Sequence, residues 1–289
     1  MIIDSHYHLT EWMVSTEDLL VKMDKEGIDK IALMGCMCGP IPPVKPSLEK
    51  FGRSLLTHSA FRGLGHSLFD KFTPEGDWIL PGGTVNILRD PDNQSVFDTI
   101  ELHPDKFLGW IFVNPKGSND QLQEYTKWAD SAGFIGVKAH PFWHQFAPID
   151  LLPVAEQVAA RGKPLLLHLG FNKNGDYRAL LKAVPELKLI LAHTAFPYYS
   201  TIWKQIKDLP NVFVDLSQTS YVDESITRQA VRFLGADKCL FGTDGPVGSV
   251  APDGGFDLGL IKRRITKLFP DETVRAKLLG DNFSKLVNL

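Results

Sequence analysis

Asp4, His6 and His8 stand at alternate positions in the run Ile2-Ile3-Asp4-Ser5-His6-Tyr7-His8. Read as a β-strand, the run sends successive side chains to opposite faces, so Ile2, Asp4, His6 and His8 share one face. His6 and His8 are then about 6.6 Å apart along the strand, near enough for two neutral imidazoles to lean onto one divalent ion. A His-x-His pair is weak evidence by itself, since two histidines fall at that spacing without any metal. Lys138 and His140, His168, His193 and Asp244 each end a short apolar run further along. One histidine after an apolar run is commonly a satisfied core residue. Several of them converging with a carboxylate could hold a metal ion and move protons on and off a substrate.

The elements that would carry these residues follow a regular rhythm. Apolar runs at 2–8, 28–35, 107–114, 134–140, 164–170, 187–193, 212–216 and 239–244 read as eight short, nearly continuously apolar strands, the pattern of buried parallel strands. Amphipathic helices are expected between them at 16–26, 91–102, 120–131, 149–161, 176–184, 200–207, 224–234 and 258–268, with helical patterning again at 274–287. Thr16 is a plausible N-cap of the first helix and Gly27 its C′ residue. Eight strand–helix units favour a closed α/β (β/α)8 TIM barrel of one domain, residues 1–289, over an open sheet. On that fold His6 and His8 end strand one, Lys138 and His140 strand four, His168 strand five, His193 strand six and Asp244 strand eight. All lie at the carboxyl ends, the face on which barrel enzymes build their sites. Five strand ends of eight bearing such residues on one face argue against coincidence.

Residues 39–82 interrupt the rhythm after the second strand. Gly39-Pro40, Pro42-Pro43, Pro46, Pro74 and Pro81-Gly82-Gly83 punctuate them, 47–61 is weakly helical, and 84–87 reads as a short extra strand. An excursion of this length in a compact domain is a lid-like or binding insertion, or a solvated surface loop. It carries Arg53, His58, Arg62 and His66.

Composition bounds the remaining choices. The chain has 289 residues, 44% hydrophobic and 22% charged, with a formal net charge of −3, and its pI is near 6.3, as in ordinary globular proteins. No Lys/Arg cluster marks a nucleic-acid surface. Neither a G-x-G-x-x-G turn after the first strand nor a G-x-x-x-x-G-K-[ST] loop occurs, so nucleotide binding lacks its main signals. Cys36, Cys38 and Cys239 are too few for a disulfide framework, and Cys36-Met37-Cys38 lacks the second ligand pair of a structural zinc site. No segment reads as a signal peptide or membrane span. A cytoplasmic protein is expected, with homo-oligomer formation left open.

These residues resemble the amidohydrolase superfamily of metal-dependent hydrolases, and within it the amidohydrolase 2 branch, which includes aminocarboxymuconate-semialdehyde decarboxylases and related lactonases and hydratases. The matching stretches are Asp4-x-His6-x-His8, Gly133-Phe-Ile-Gly-Val-Lys-Ala-His-Pro141, Leu167-His168, Leu191-Ala-His193, Phe241-Gly-Thr-Asp244 and Leu279-Gly280-Asp281-Asn282, in the family's order. The resemblance implies that His6, His8, His168 and Asp244 hold one divalent ion, zinc or else manganese, with room for water. It implies that Asp244 takes the water's proton while His193 polarises the substrate or acts as acid. Lys138 and His140 would meet an anionic group of a small-molecule substrate. In binuclear relatives a carboxylated lysine at the Lys138 position bridges two metals, so two ions are the alternative. The implied reaction is hydrolysis of a lactone, amide or related carboxylic substrate. The alternative is metal-dependent non-oxidative decarboxylation of an aromatic or dienoic acid, for which Arg53, Arg62 and Arg178 are cations that could receive the carboxylate.

Overall fold

The computed structural model describes residues 1–42, 44–251 and 254–289; Pro43 of the expected proline-rich stretch lies outside them. The strands are β1 Ile3–Leu9, β2 Lys30–Gly35, β3 Trp78–Leu80, β4 Gly83–Val85, β5 Phe107–Phe112, β6 Phe134–Ala139, β7 Pro164–Leu167, β8 Lys188–Leu191, β9 Val212–Asp215 and β10 Cys239–Leu240. Eight of them form one sheet in the order β1-β2-β5-β6-β7-β8-β9-β10, with every neighbouring pair parallel. The ring closes where the chain beyond β10 meets β1. Ser5 N–H donates to Phe241 O (3.0 Å), Asp244 N–H to His6 O (2.7 Å) and His8 N–H to Gly245 O (2.8 Å). This is the expected (β/α)8 barrel.

Two apolar layers account for its stability. Inward residues of successive strands, among them Ile3, Ala32, Met34, Trp110, Leu166, Ile190 and Leu240, pack together and against Phe283 and Leu286 of the last helix. Outward residues such as Ile31, Leu33, Ile111, Val137, Leu165, Leu189 and Val214 pack beneath the helices. Strands buried on both faces need the continuous apolar runs seen in the sequence.

Local differences from expectation have physical causes. Ser15, not Thr16, caps helix Thr16–Glu26, its side chain accepting from Asp18 N–H, while Gly27 takes the left-handed C′ position at φ 60°. A register shift in β1 between Asp4 and Tyr7 breaks strict alternation. Ile3 therefore packs inside while Tyr7 and Leu9 pack outside, and Asp4 does not share the face of His6 and His8. Its carboxylate instead accepts Thr243 N–H (2.9 Å) and Thr243 O–H (2.5 Å). The strand expected at 187–193 stops at Leu191, because His193, Thr194 and Ala195 take φ of 53°, 54° and 64°. The strand expected at 239–244 is regular only over Cys239–Leu240.

The insertion forms helices Pro46–Thr57 and Arg62–Phe69 and strand β3, which pairs antiparallel with β4, the short extra strand, found at Gly83–Val85 rather than 84–87. It lies across the carboxyl ends of the barrel strands. His66 stacks on Phe171 with centroids 4.2 Å apart, Arg62 lies 4.9 Å over Tyr198, and Trp78 meets Phe142 and Trp143. Arg53 pairs with Asp223 at 3.4 Å. Among the described residues no helix is long and apolar enough to cross a membrane.

Candidate active site

The carboxyl ends of β1, β6, β7, β8 and β9 and the segment after β10 bring His6, His8, Lys138, His140, His168, His193, Asp215 and Asp244 to one end of the barrel. His6, Lys138, His193 and Asp215 have at most 1% exposure, and His140 and His168 are also buried. Asp244 is the point of convergence. Its Oδ1 lies 2.9 Å from His6 Nε2 and 3.4 Å from His8 Nε2. Its Oδ2 accepts Gln218 Nε2–H (3.0 Å) and lies 3.9 Å from His193 Nε2.

The Nδ1 atoms explain why both Nε2 atoms point there. His6 Nδ1 lies 2.9 Å from Asp215 Oδ2, and His8 Nδ1 lies 3.0 Å from the Gly35 carbonyl. Each partner is an acceptor, so each Nδ1 carries the proton and each Nε2 is left for another task. Only a positive charge between His6 Nε2 and Asp244 Oδ1, a proton or a metal ion, can hold two such atoms 2.9 Å apart. His6, His8 and Asp244 form one group with ligand atoms all within 4.8 Å of one another, and His6, His193 and Asp215 form a second. Two imidazole nitrogens and a carboxylate oxygen are a donor set suited to zinc or manganese, so these residues fit a divalent ion.

His168 stands apart from both groups. Its Nδ1 lies 3.0 Å from His193 Nε2, and its ring stacks on His140 with centroids 3.9 Å apart. His140 Nδ1 accepts Trp143 N–H (3.0 Å). Lys138 Nζ lies 3.2 Å from His6 Nε2. The arginines offered for a substrate carboxylate are otherwise engaged. Arg53 holds Asp223, Arg62 donates to the carbonyls of Leu56 and Thr57 at the end of a helix, and exposed Arg178 pairs with Asp176.

Burial and charge set the protonation states. Burial pushes His193 down to about 4 against the pull of Asp244 and Asp215. It pushes His140 well below the ordinary imidazole value, with His168 and Lys138 adding to it, and His168 likewise, with His193 and Lys138 adding to it and Asp244 opposing. Burial also brings Lys138 down to about 8, opposed by Asp244 and Asp215. For Asp244 burial opposes ionisation, but His6 and His193 outweigh it and hold the carboxyl well below its usual range.

Sequence reading passed over Asp215, Ser217 and Gln218. Asp215 was signalled by the pattern already used for Asp244, an acid at the end of the apolar run Val212-Phe-Val. Ser217 and Gln218 had no such signal, since their roles depend on a turn after β9.

The family described as amidohydrolase matches residues 75–289. A curated relative, protein fluG of Emericella nidulans, is 27% identical over 117 residues, 36% of this chain, and the match spans only 13% of that protein's length. A solved TIM-barrel protein of uncharacterised function from Bordetella bronchiseptica superposes with a TM-score of 0.65 at 17% identity, covering 99% of this chain and 98% of its own. A candidate 2-pyrone-4,6-dicarboxylic acid hydrolase from Pseudomonas putida gives 0.64 at 16% identity, covering 99% and 97%. A dihydroxybenzoic acid decarboxylase from Polaromonas sp. JS666, with bound manganese and the inhibitor 2-nitroresorcinol, gives 0.57 at 16% identity, covering 100% and 97%.

Proposed function

Because the chain belongs to the amidohydrolase family, we propose that it is a metal-dependent hydrolase acting on a lactone, amide or related bond of a small carboxylic substrate. The observation that carries this reading is the convergence of His6 Nε2 and His8 Nε2 on Asp244 Oδ1. His6, His8 and Asp244 would hold one divalent ion, zinc or else manganese, with His168 as the fourth ligand. Such an ion, when bound, lowers the pKa of a water toward ~7 and polarises a carbonyl.

The chain's own groups then handle the proton and the substrate. Asp244, kept ionised by its imidazole neighbours and oriented by Gln218, accepts the water's proton. His193 Nε2, 3.9 Å from Asp244 Oδ2, receives that proton and delivers it to the leaving group. Lys138 and His140 receive the anionic group of the substrate. The single barrel domain carries residues 39–82 as a lid over the mouth, which keeps bulk water from the reacting atoms. The three free cysteines accord with a reducing cytoplasmic setting.

Non-oxidative decarboxylation is the second reading, favoured by the decarboxylase with manganese among the similar folds. Metal analysis of the purified protein, followed by assays of pyrone-dicarboxylate ring opening and of CO₂ release from dihydroxybenzoates, separates the two. Ring opening supports hydrolysis and CO₂ release supports decarboxylation. A chain that binds no divalent ion overturns both.

A further inference from the structure

Asp215 is a fully buried carboxylate that takes four donors. Oδ2 takes His6 Nδ1–H at 2.9 Å, and Oδ1 takes His193 N–H at 2.8 Å, Ser217 N–H at 3.1 Å and the Ser217 hydroxyl. An ionised carboxylate has lone pairs and no proton to give, so in each of these contacts Asp215 can only accept. Beyond it, Ser217 Oγ lies 2.8 Å from His193 Nδ1, and His193 Nε2 lies 3.0 Å from His168 Nδ1.

We propose that Ser217, oriented by Asp215, is a positioning residue that decides which ring nitrogen carries the proton on His193 and, through His193, on His168. Each link has one consistent direction. Asp215 can only accept, so the Ser217 O–H points to it. Ser217 Oγ then has only lone pairs to offer His193, so His193 Nδ1 must be the N–H. In a neutral imidazole one nitrogen donates and the other accepts, so His193 Nε2 accepts from His168 Nδ1–H. His168 Nε2 is thereby left bare, the form in which imidazole binds a metal. Reversing the chain would set two lone pairs against each other between Ser217 and Asp215, both fully buried. One buried acid thus prepares two rings, His6 directly and His168 through a hydroxyl and a third imidazole.

The proposal rests on the metal-site reading for its purpose, while the placement of the protons can be read without metal. The probe is a long-range ¹H–¹⁵N correlation spectrum of metal-free, histidine-labelled protein, with Zn²⁺ affinity measured by chelator competition. In the wild type His193 and His168 should both be Nδ1–H. In Ser217→Ala both should lose that exclusive form, and Zn²⁺ should bind about 10–100-fold more weakly, the usual cost of losing a group that orients a ligand. A wild-type His193 protonated on Nε2 overturns the proposal, with no variant needed. So does a Ser217→Ala protein whose His168 keeps its Nδ1–H signature, whatever its affinity for Zn²⁺. A wild type with the stated ring states that binds no Zn²⁺ supports the effect of Ser217 on the rings and overturns the metal reading.

Discussion

Lys138 extends its amine to within 3.2 Å of His6 Nε2, and solvent reaches neither side chain. Burial holds the amine at about 8, so it gives up its proton more readily than an exposed lysine and can sit beside an imidazole nitrogen. If it acts on the substrate, Lys138→Met keeps one ion per chain, equal to the wild type, and loses about 10²-fold or more in kcat/KM. Two ions in the wild type, falling to one in the variant, would show instead that a carboxylated lysine bridges them. Elemental analysis of both proteins decides.

His168 and His193 touch each other at 3.0 Å but have different proposed tasks. His168→Ala should lose most of the bound ion. His193→Ala should keep it while turnover falls about 10²–10⁴-fold, the range for a lost general acid–base group. Full metal retention in His168→Ala would remove that residue from the ligand set.

His144 bears on stability and belongs to neither group of candidate ligands. Its Nε2 meets the Leu88 carbonyl at 3.1 Å, its Nδ1 has no hydrogen-bond partner among the described residues, and burial lowers it from 6.5 to about 4. Between those values the unfolded chain binds a proton that the folded chain refuses. The contribution is therefore complete above pH 6.5 and is lost as pH falls toward 4, by on the order of 3 kcal/mol. His144→Gln should show a shallower fall in urea midpoint from pH 7 to pH 5 than the wild type. Parallel curves would count against it.

Gly136 lies in β6 where neighbouring strands crowd it. A Cβ there would meet Pro164 O at 2.4 Å and Trp110 Cζ3 at 2.7 Å. Neither a backbone carbonyl nor an indole buried in the barrel can move aside cheaply. Gly136→Ala should cost about 1–3 kcal/mol, read as a lowered urea midpoint. An unchanged midpoint would show that the barrel yields more easily than this packing implies.

The ring of strands was legible because each barrel strand must be apolar on both faces, and that leaves an unbroken run in the sequence. The polar residues that end those runs were legible for the same reason. Asp4 was misassigned because a bulge in β1 leaves no mark on a periodic pattern. The ends of the strands at His193 and Asp244 were placed too late because positive φ at these non-glycine residues is imposed by tertiary hydrogen bonds. His193, for instance, is held by its N–H on Asp215. The same dependence hid Ser217 and Gln218, whose partners are distant in the chain.

The seam between Asp4 and Thr243 joins residues 239 apart in sequence. Loop closure over such a span is entropically expensive and has nothing to stand on until the intervening strands have assembled. His6 and Asp244 face each other across that same join, so their pairing arises only with the finished ring. A chain still emerging from the ribosome therefore cannot yet bring the His6 imidazole and the Asp244 carboxylate to within 2.9 Å of each other; that pair forms last.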